Sequence, residues 1–398
     1  MMKIAVVGSG ISGLGASYYL GKRHHVDLYE SDTRIGGHTH THKIQLEEEI
    51  NVDSGFIVFN DLNYPNLIQF FNELGVDTAD TDMSFSVSSK TSTWSSNEFK
   101  KLSTFFKPAK LNFLKNIIKF NHAAKQNIAG ISFREWLANK NLKKEFINDY
   151  VLPMAAAIWS TPMDKIGEYP VESMLAFLRN HGLLKLINRP QWHFVKNGSA
   201  SYIDAIIESS NINNVFTGES PIINKSNQQW RLKTSNHELN YDALVIATHV
   251  NDVPKLLANY NDFSFMSDFS YNINKTILHT DENFMPVSKK LWSSWNTFKY
   301  DDYEYVTYWM NNLQNIKSKT NLFVTIGNFP QIQTQNILKV MQYEHPLFDF
   351  TSQEVKEKVS ELQGLDNLYF AGAYQGYGFH EDGLTSALNV VRMIDHAI

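Results

Sequence analysis

Cysteine is absent from all 398 residues. That excludes disulfides, thiolate metal sites, a cysteine nucleophile and a cofactor tethered through cysteine sulfur, and it fits a reducing compartment. Long apolar runs are absent too. The longest candidate, residues 151–162, is about half the roughly 20 residues a membrane span needs, and it carries Pro153 and Pro162. In the opening MMKIAVVGSG, the apolar run Ile4 to Val7 is too short for a secretory signal and ends in glycines. Neither charge dominates: 36 Lys and Arg stand against 41 Asp and Glu, a net −5, so nothing overall recruits nucleic acid. These absences lead to the expectation of a cytoplasmic protein. At 43% hydrophobic and 19% charged, the chain has an ordinary globular balance and the length for two or three domains.

What is present starts at once. KIAVVGSGISGLGASYYL reads as a buried strand (Ile4 to Val7), a glycine turn and a helix. Gly8, Gly10 and Gly13 form G-x-G-x-x-G, with Ser12 inside it. The first glycine permits a tight turn, the second lets backbone approach a pyrophosphate, and the third lets helix pack on strand. The helix N-terminus then offers free N–H groups and partial positive charge to phosphates. HHVDLYE follows as a second strand ending at Glu30, an acidic residue spaced to bind a ribose hydroxyl. No second strand–glycine–helix unit is apparent, so a nicotinamide partner with its own domain is not expected.

RIGGHTHTH then sets His38, His40 and His42 at alternate positions, a spacing that on a strand puts three imidazoles on one face. A competing explanation comes from the residues before them. Glu30, Arg34, Gly36 and Gly37 make Glu-x-x-x-Arg-x-Gly-Gly, which resembles the continuation of the dinucleotide fold in the FAD-dependent amine oxidase, phytoene desaturase and protoporphyrinogen oxidase superfamily. The resemblance implies that Arg34 and the glycine pair lie along the flavin's phosphates and ribityl chain, that His38 sits near the cofactor, and that no metal is bound. VDSGFIVFN is similar to the next family segment, with Gly55 and Phe56 at positions that pass close to the flavin ring. RPQWHFVKNGSASYIDAII resembles the family's return to the cofactor domain. Ile222 matches a residue that packs on adenine through backbone contacts, and Ala247 and Thr248 match a turn near the cofactor. NLYFAGAYQGYGFHEDGL resembles the closing motif; Gly372, Glu381, Asp382 and Gly383 are the matched positions, and the helix they open is implied to face the flavin N1/C2=O edge.

The resemblance implies an α/β chain with a Rossmann-like FAD-binding domain (GR2-type) and a mixed α+β substrate domain. The FAD-binding domain is expected at 1–60, 195–255 and 345–398, and the substrate domain at 61–194 and 256–344. The FAD is expected to be non-covalent. Two departures from the family stand out. Ala373 occupies a position that is often acidic, and the loop FHEDG is one residue longer than usual, which puts the aromatic cage of amine oxidases in question.

Residues 100–125 hold seven lysines (Lys100, Lys101, Lys107, Lys110, Lys115, Lys119 and Lys125) and no acidic residue. Interleaved with them are Phe105, Phe106, Leu111, Phe113, Leu114, Ile117, Ile118 and Phe120. Two readings fit: a peripheral contact with an anionic membrane, at the inner membrane face, or a surface helix whose stripe faces core. In PMAAAIWSTP, three alanines before Trp159 suggest close packing beside a cavity. Lys275 falls roughly where amine oxidases keep a lysine near the flavin, but it is read here as an exposed strand lysine. The function expected is an FAD-dependent oxidoreductase taking hydride from a C–H bond of an apolar, lipid or fatty-acyl substrate. His380, Tyr377 and Trp159 are its pocket residues, with His380 a candidate proton acceptor. The alternatives are a flavin amine oxidase and, in another class, a non-catalytic lipid-binding escort protein.

Overall fold

The computed structural model describes residues 1–396 apart from 91, 101–103, 105, 127, 186–188, 227 and 261–262. Lys101 and Phe105, named above, lie outside the described residues.

Ile4, Ala5 and Val6 have no solvent exposure, as a strand covered on both faces requires. They belong to β1 (Lys3–Val7), which is followed by α1 (Ile11–Gly21), β2 (His25–Glu30), β3 (Ile212–Thr217), β4 (Ala243–Ile246), β5 (Leu368–Phe370) and α2 (His380–His396). The five strands are parallel, in the order β3-β2-β1-β4-β5. Strand order reverses between β1 and β4, where open α/β sheets bind their ligands. Both turns meet there: a Cβ on Gly8 (φ +103°) would lie 2.6 Å from the Ala247 carbonyl oxygen.

The helices α1 and α2 touch through glycine. A Cβ on Gly383 would sit 2.7 Å from Ile11 Cγ2 and 2.9 Å from Ser12 Oγ, and one on Gly15 would sit 2.7 Å from Leu384 Cδ1. The two chain ends are thereby locked together at the helix starts. The helix Pro65–Leu74, expected in the substrate domain, packs instead on this unit. Leu67, Phe70 and Phe71 share a core with Tyr18, Leu20 and Tyr202. The boundary at 60 therefore falls before a helix whose apolar face belongs to α1.

The second unit is a seven-stranded sheet. Its order is Ile337–Pro346, Tyr271–His279, Phe323–Asn328, Glu304–Trp309, Trp295–Lys299, Phe85–Ser89 and Thr93–Ser95. It is antiparallel, as expected for 260–340, except that Trp295–Lys299 pairs in parallel with Phe85–Ser89. Helices Pro108–Ala123, Leu152–Trp159 and Val171–Asn180 contribute to the large apolar core beside it. Pro153 cannot donate a backbone hydrogen bond, and the turn before it, Ile147–Val151, is widened to a π-turn. The helix ends at Ser160, held at φ +48°, a conformation costly for a residue with a Cβ.

Gly13 and Gly10 separate folding from binding. A Cβ on Gly13 would lie 1.8 Å from the Gly8 carbonyl oxygen, which is backbone and cannot yield, whereas Gly10 has nothing within 4 Å. We expect Gly13→Ala to lose about 1–3 kcal/mol, read as a lower urea midpoint. Gly10→Ala should stay within about 0.5 kcal/mol of the parent.

Candidate functional site

One cavity of about 1570 Å³ joins the two units. That exceeds the roughly 300–1,000 Å³ of an ordinary ligand site, and leaves space for a second molecule beside a dinucleotide. Its wall runs from Glu30 and Pro221 past Gly8, Gly10 and Ser12 to Phe113, Leu114 and Ile117 on the helix Pro108–Ala123.

The front of the cavity is a backbone cradle. The α1 N-terminus has no side-chain cap, and the open space at Gly10 lies where its free N–H groups begin. Glu30 braces the turn: its Oε2 accepts from Ser9 N–H at 2.9 Å and from the Ser9 hydroxyl at 2.5 Å. Arg34 lies outside the wall and staples the loop from behind, donating to the carbonyls of Thr39 and Gly37 at 2.8 Å each. Gly55 is pressed against His38, where a Cβ would lie 2.0 Å from the His38 carbonyl oxygen.

A polar wall follows. His38 is half-buried, and its Nε2 is shut off from solvent with no hydrogen-bond partner. Burial, then His345 and His249 beside it, hold its pKa well below the usual imidazole range. The His345 ring stands edge-on at 5.3 Å from it. Asn274 Nδ2 donates to Ser160 O at 2.8 Å and reaches His345 Nδ1 at 2.9 Å, while Asn272 donates to Asn274 Oδ1 at 3.0 Å. The Asn274 amide is thus oriented, His345 Nδ1 must accept, and the ring proton stays on Nε2. The strained Ser160 therefore supplies the carbonyl that sets the tautomer of a histidine in another strand. Farther along, Tyr343 OH lies 2.6 Å from Ser54 Oγ and 3.1 Å from His40 Nδ1, and His42 Nε2 lies 2.8 Å from Ser54 Oγ. The His40 and His42 rings are 4.0 Å apart, the shared side that alternation requires. Among the described residues no group of three His, Asp or Glu is placed to hold a metal ion.

The remaining side is aromatic. Phe177 lies 4.2 Å from Trp159, 5.0 Å from Phe379 and 5.6 Å from Tyr377 (ring centroids), and stacks on His181 at 3.7 Å. All five face the cavity. Trp159 Nε1 donates to the Tyr377 carbonyl at 3.1 Å, tying the box to the loop before α2. Asp382 shapes that loop, accepting from Tyr377 N–H at 3.1 Å and Phe379 N–H at 2.9 Å.

A family model for an NAD(P)-binding Rossmann-like domain matches residues 6–74. No curated protein matches the chain by sequence. Among solved structures, the chain is similar to a candidate protoporphyrinogen oxidase from Exiguobacterium sp. 255-15, at 13% identity over 100% of this chain and 99% of that one, TM-score 0.73. It is similar to a putrescine oxidase bound to putrescine, at 12% identity over 99% of both chains, TM-score 0.72. It is also similar to a fatty acid isomerase from P. acnes, described as producing CLA, at 12% identity over 98% of both chains, TM-score 0.67. The chain shares the fold of these solved structures over essentially its whole length.

Within that fold the residues fit a flavin dinucleotide on their own terms. A Cβ at Gly10 would fill the cradle, and the buried, unpartnered His38 Nε2 and the free α1 N–H groups all face the same cavity. Gly8, Gly10, Ser12, Glu30, Gly37, His38, Gly55, Phe56, Ala247, Thr248 and Gly372 line it, as do Trp159, Tyr377 and His380.

Other expected residues stand behind or away from the wall. Gly13, Arg34, Gly36 and Gly383 build it by close approach or by hydrogen bonds to backbone. Glu381 turns the other way and caps the helix Pro65–Leu74, accepting from Asn66 N–H at 3.0 Å and Leu67 N–H at 2.9 Å. Ile222 is 60% exposed and Pro221 takes the wall. Lys275 is exposed beside Phe329, outside the wall. His380 does not suit the part of proton acceptor. It stacks on Phe56 at 3.7 Å, its Nε2 lies 3.0 Å from Thr39 Oγ1 and 3.2 Å from Tyr202 OH, and burial pushes its pKa down to about 3. Phe177, His181, Tyr343 and His345 were not anticipated. The one available signal was the four-residue spacing of Phe177 and His181, which puts both rings on one helix face.

These burials predict a pH response. His40, His42, His181, His279 and His345 are lowered to about 4 and His380 to about 3, all mainly by burial. Unfolded histidines bind protons near pH 6.5, so between about 6.5 and 4 the unfolded chain holds more protons and stability falls as pH falls. Asp53 and Asp382, raised to about 6 by burial, act in the opposite sense but are outnumbered. Stability measured by urea unfolding should therefore drop on acidification through this window. His380→Gln should reduce the slope by up to about 1.4 kcal/mol per pH unit.

Proposed function

We propose that the chain is an FAD-dependent oxidoreductase that takes hydride from a C–H bond of an apolar substrate, a lipid or fatty-acyl chain. The observation behind this reading is the continuity of one cavity. The wall that carries the dinucleotide cradle extends without interruption through an aromatic box into an apolar chamber of Phe99, Phe113, Leu114, Ile117 and Met154. A chamber of that lining favours hydrocarbon over a small polar substrate.

Bound FAD would supply a two-electron acceptor; the chain's part is to hold, orient and shield. Gly8, Gly10 and the α1 N-terminus would carry the pyrophosphate, with Glu30 at the adenosine side. Gly372, at the end of β5 near the α2 start, lies where developing negative charge would be stabilised. The aromatic box excludes water and fixes the substrate's approach. On the opposite wall His345 stays neutral, with its pKa lowered to about 4, and carries its proton on Nε2. It is placed to donate a hydrogen bond rather than to attract an anion as a cation would.

The aromatic box also favours a second reading, a flavin amine oxidase, because such a ring cluster suits a substrate amine. One experiment separates the readings. Anaerobic titration of the yellow protein with long-chain acyl lipids and with alkyl amines should bleach the flavin with the lipid series alone. Bleaching by amines alone establishes the second reading. A colourless protein that takes up no FAD but co-purifies with lipid, seen by mass spectrometry of the extract, leaves the escort protein. Gly10→Val should abolish flavin retention while the melting temperature of the flavin-free protein is unchanged, because the added methyls enter the phosphate space. Normal flavin content in that variant contradicts the cradle.

A further inference from the structure

The helix Pro108–Ala123 sends its apolar side chains to two destinations. Ile117 and Phe120 are buried and Phe113 half-buried in the core, which accounts for the core-facing stripe. Leu111 and Ile118 remain exposed at 41% and 56%, and Phe106, two residues before the helix, at 85%. Leu111, Lys115, Ile118 and His122 follow one another along a single exposed ridge. Lys107, Lys115 and Lys125 are exposed beside it and form no ion pair among the described residues. Lys110 and Lys100 are bound to Glu98 and Asp82. Lys119 donates to the Asn141 carbonyl. The segment 100–125 has seven lysines and no acid in a chain of net charge −5.

The cavity reaches this face. Leu114, Ile117 and Ile118 line it, as do Lys100 and Arg189, and Ile118 is at once wall and surface. An acidic protein or a nucleic acid would satisfy the lysines and leave Phe106, Leu111 and Ile118 in water. A bilayer takes both, headgroups meeting the lysines while the three apolar side chains enter the acyl boundary.

We propose that this face seats on an anionic lipid bilayer and that the cavity opens toward the bilayer beside Ile118. The seat rests on exposure and charge; the use of the opening as a substrate entrance rests on the lipid reading above. The test is sedimentation of the purified full chain with phosphatidylcholine vesicles, with and without phosphatidylglycerol. Binding should require phosphatidylglycerol and weaken with salt. The triple variant Lys107→Gln, Lys115→Gln, Lys119→Gln and the double variant Leu111→Ser, Ile118→Ser should each weaken it at least about tenfold. All five positions are exposed, so melting temperatures should be unchanged. If either variant melts early, Phe106→Ser takes its place. Equal binding to both vesicle types, no binding to either, or binding indifferent to these variants overturns the seat. A chain that binds no vesicle but is bleached by acyl lipid overturns the seat alone. A chain that binds vesicles and is bleached only by amines overturns the lipid reading and leaves the seat.

Discussion

Everything in this molecule depends on a contact that only glycine allows. α1 and α2 begin within van der Waals distance of each other because Gly383 faces Ile11 and Ser12 with no Cβ between them. Residues some 370 positions apart thereby bring the α1 N-terminus and the loop before α2 to one cavity. Gly13 and Gly8 do the same for helix on strand, and Gly8 for strand turn on strand turn. Bring any of these closer with a side chain and the cradle opens; Gly10 alone is free to be filled by a ligand.

Around that centre the two walls are made by different physics. The aromatic side is held by ring packing, by Trp159 donating to the Tyr377 carbonyl, and by Asp382 accepting from Tyr377 and Phe379 N–H. The polar side is held by amide orientation: Ser160, strained at φ +48°, offers its carbonyl to Asn272 and Asn274, and Asn274 fixes His345. Trp159 and Ser160 are neighbours, so the end of one short helix aligns both walls. The widened turn Ile147–Val151 leads into that helix, with Pro153 in its first turn. The strain at Ser160 is of the size that surrounding packing must repay, on the order of 1–3 kcal/mol, and Ser160 itself faces the cavity.

Much of this was legible in the residues. The turn at Gly8, Gly10 and Gly13, the strand to Glu30 and the helix opening at Gly383 are local: spacing along the chain is spacing in space. What was not legible depends on distant register. His345 reaches Asn274 only because Ile337–Pro346 pairs with Tyr271–His279. Glu381 reads as a cofactor residue in its motif, yet its carboxylate caps a helix 315 positions away. Ile222 keeps its side chain 60% exposed while Pro221 before it lines the cavity. In the basic segment Ile117 and Phe120 went to the core and Leu111 and Ile118 to the surface. Composition cannot make that division, because lysine and leucine in alternation suit either face.

The most direct measurement is a crystal structure of the protein saturated with FAD. The account predicts one flavin in the joint cavity, its pyrophosphate against Gly10 and its ring system between His38 and Gly372, beside the aromatic box. A flavin bound elsewhere, or Gly10 and Trp159 opening into separate cavities, would contradict it.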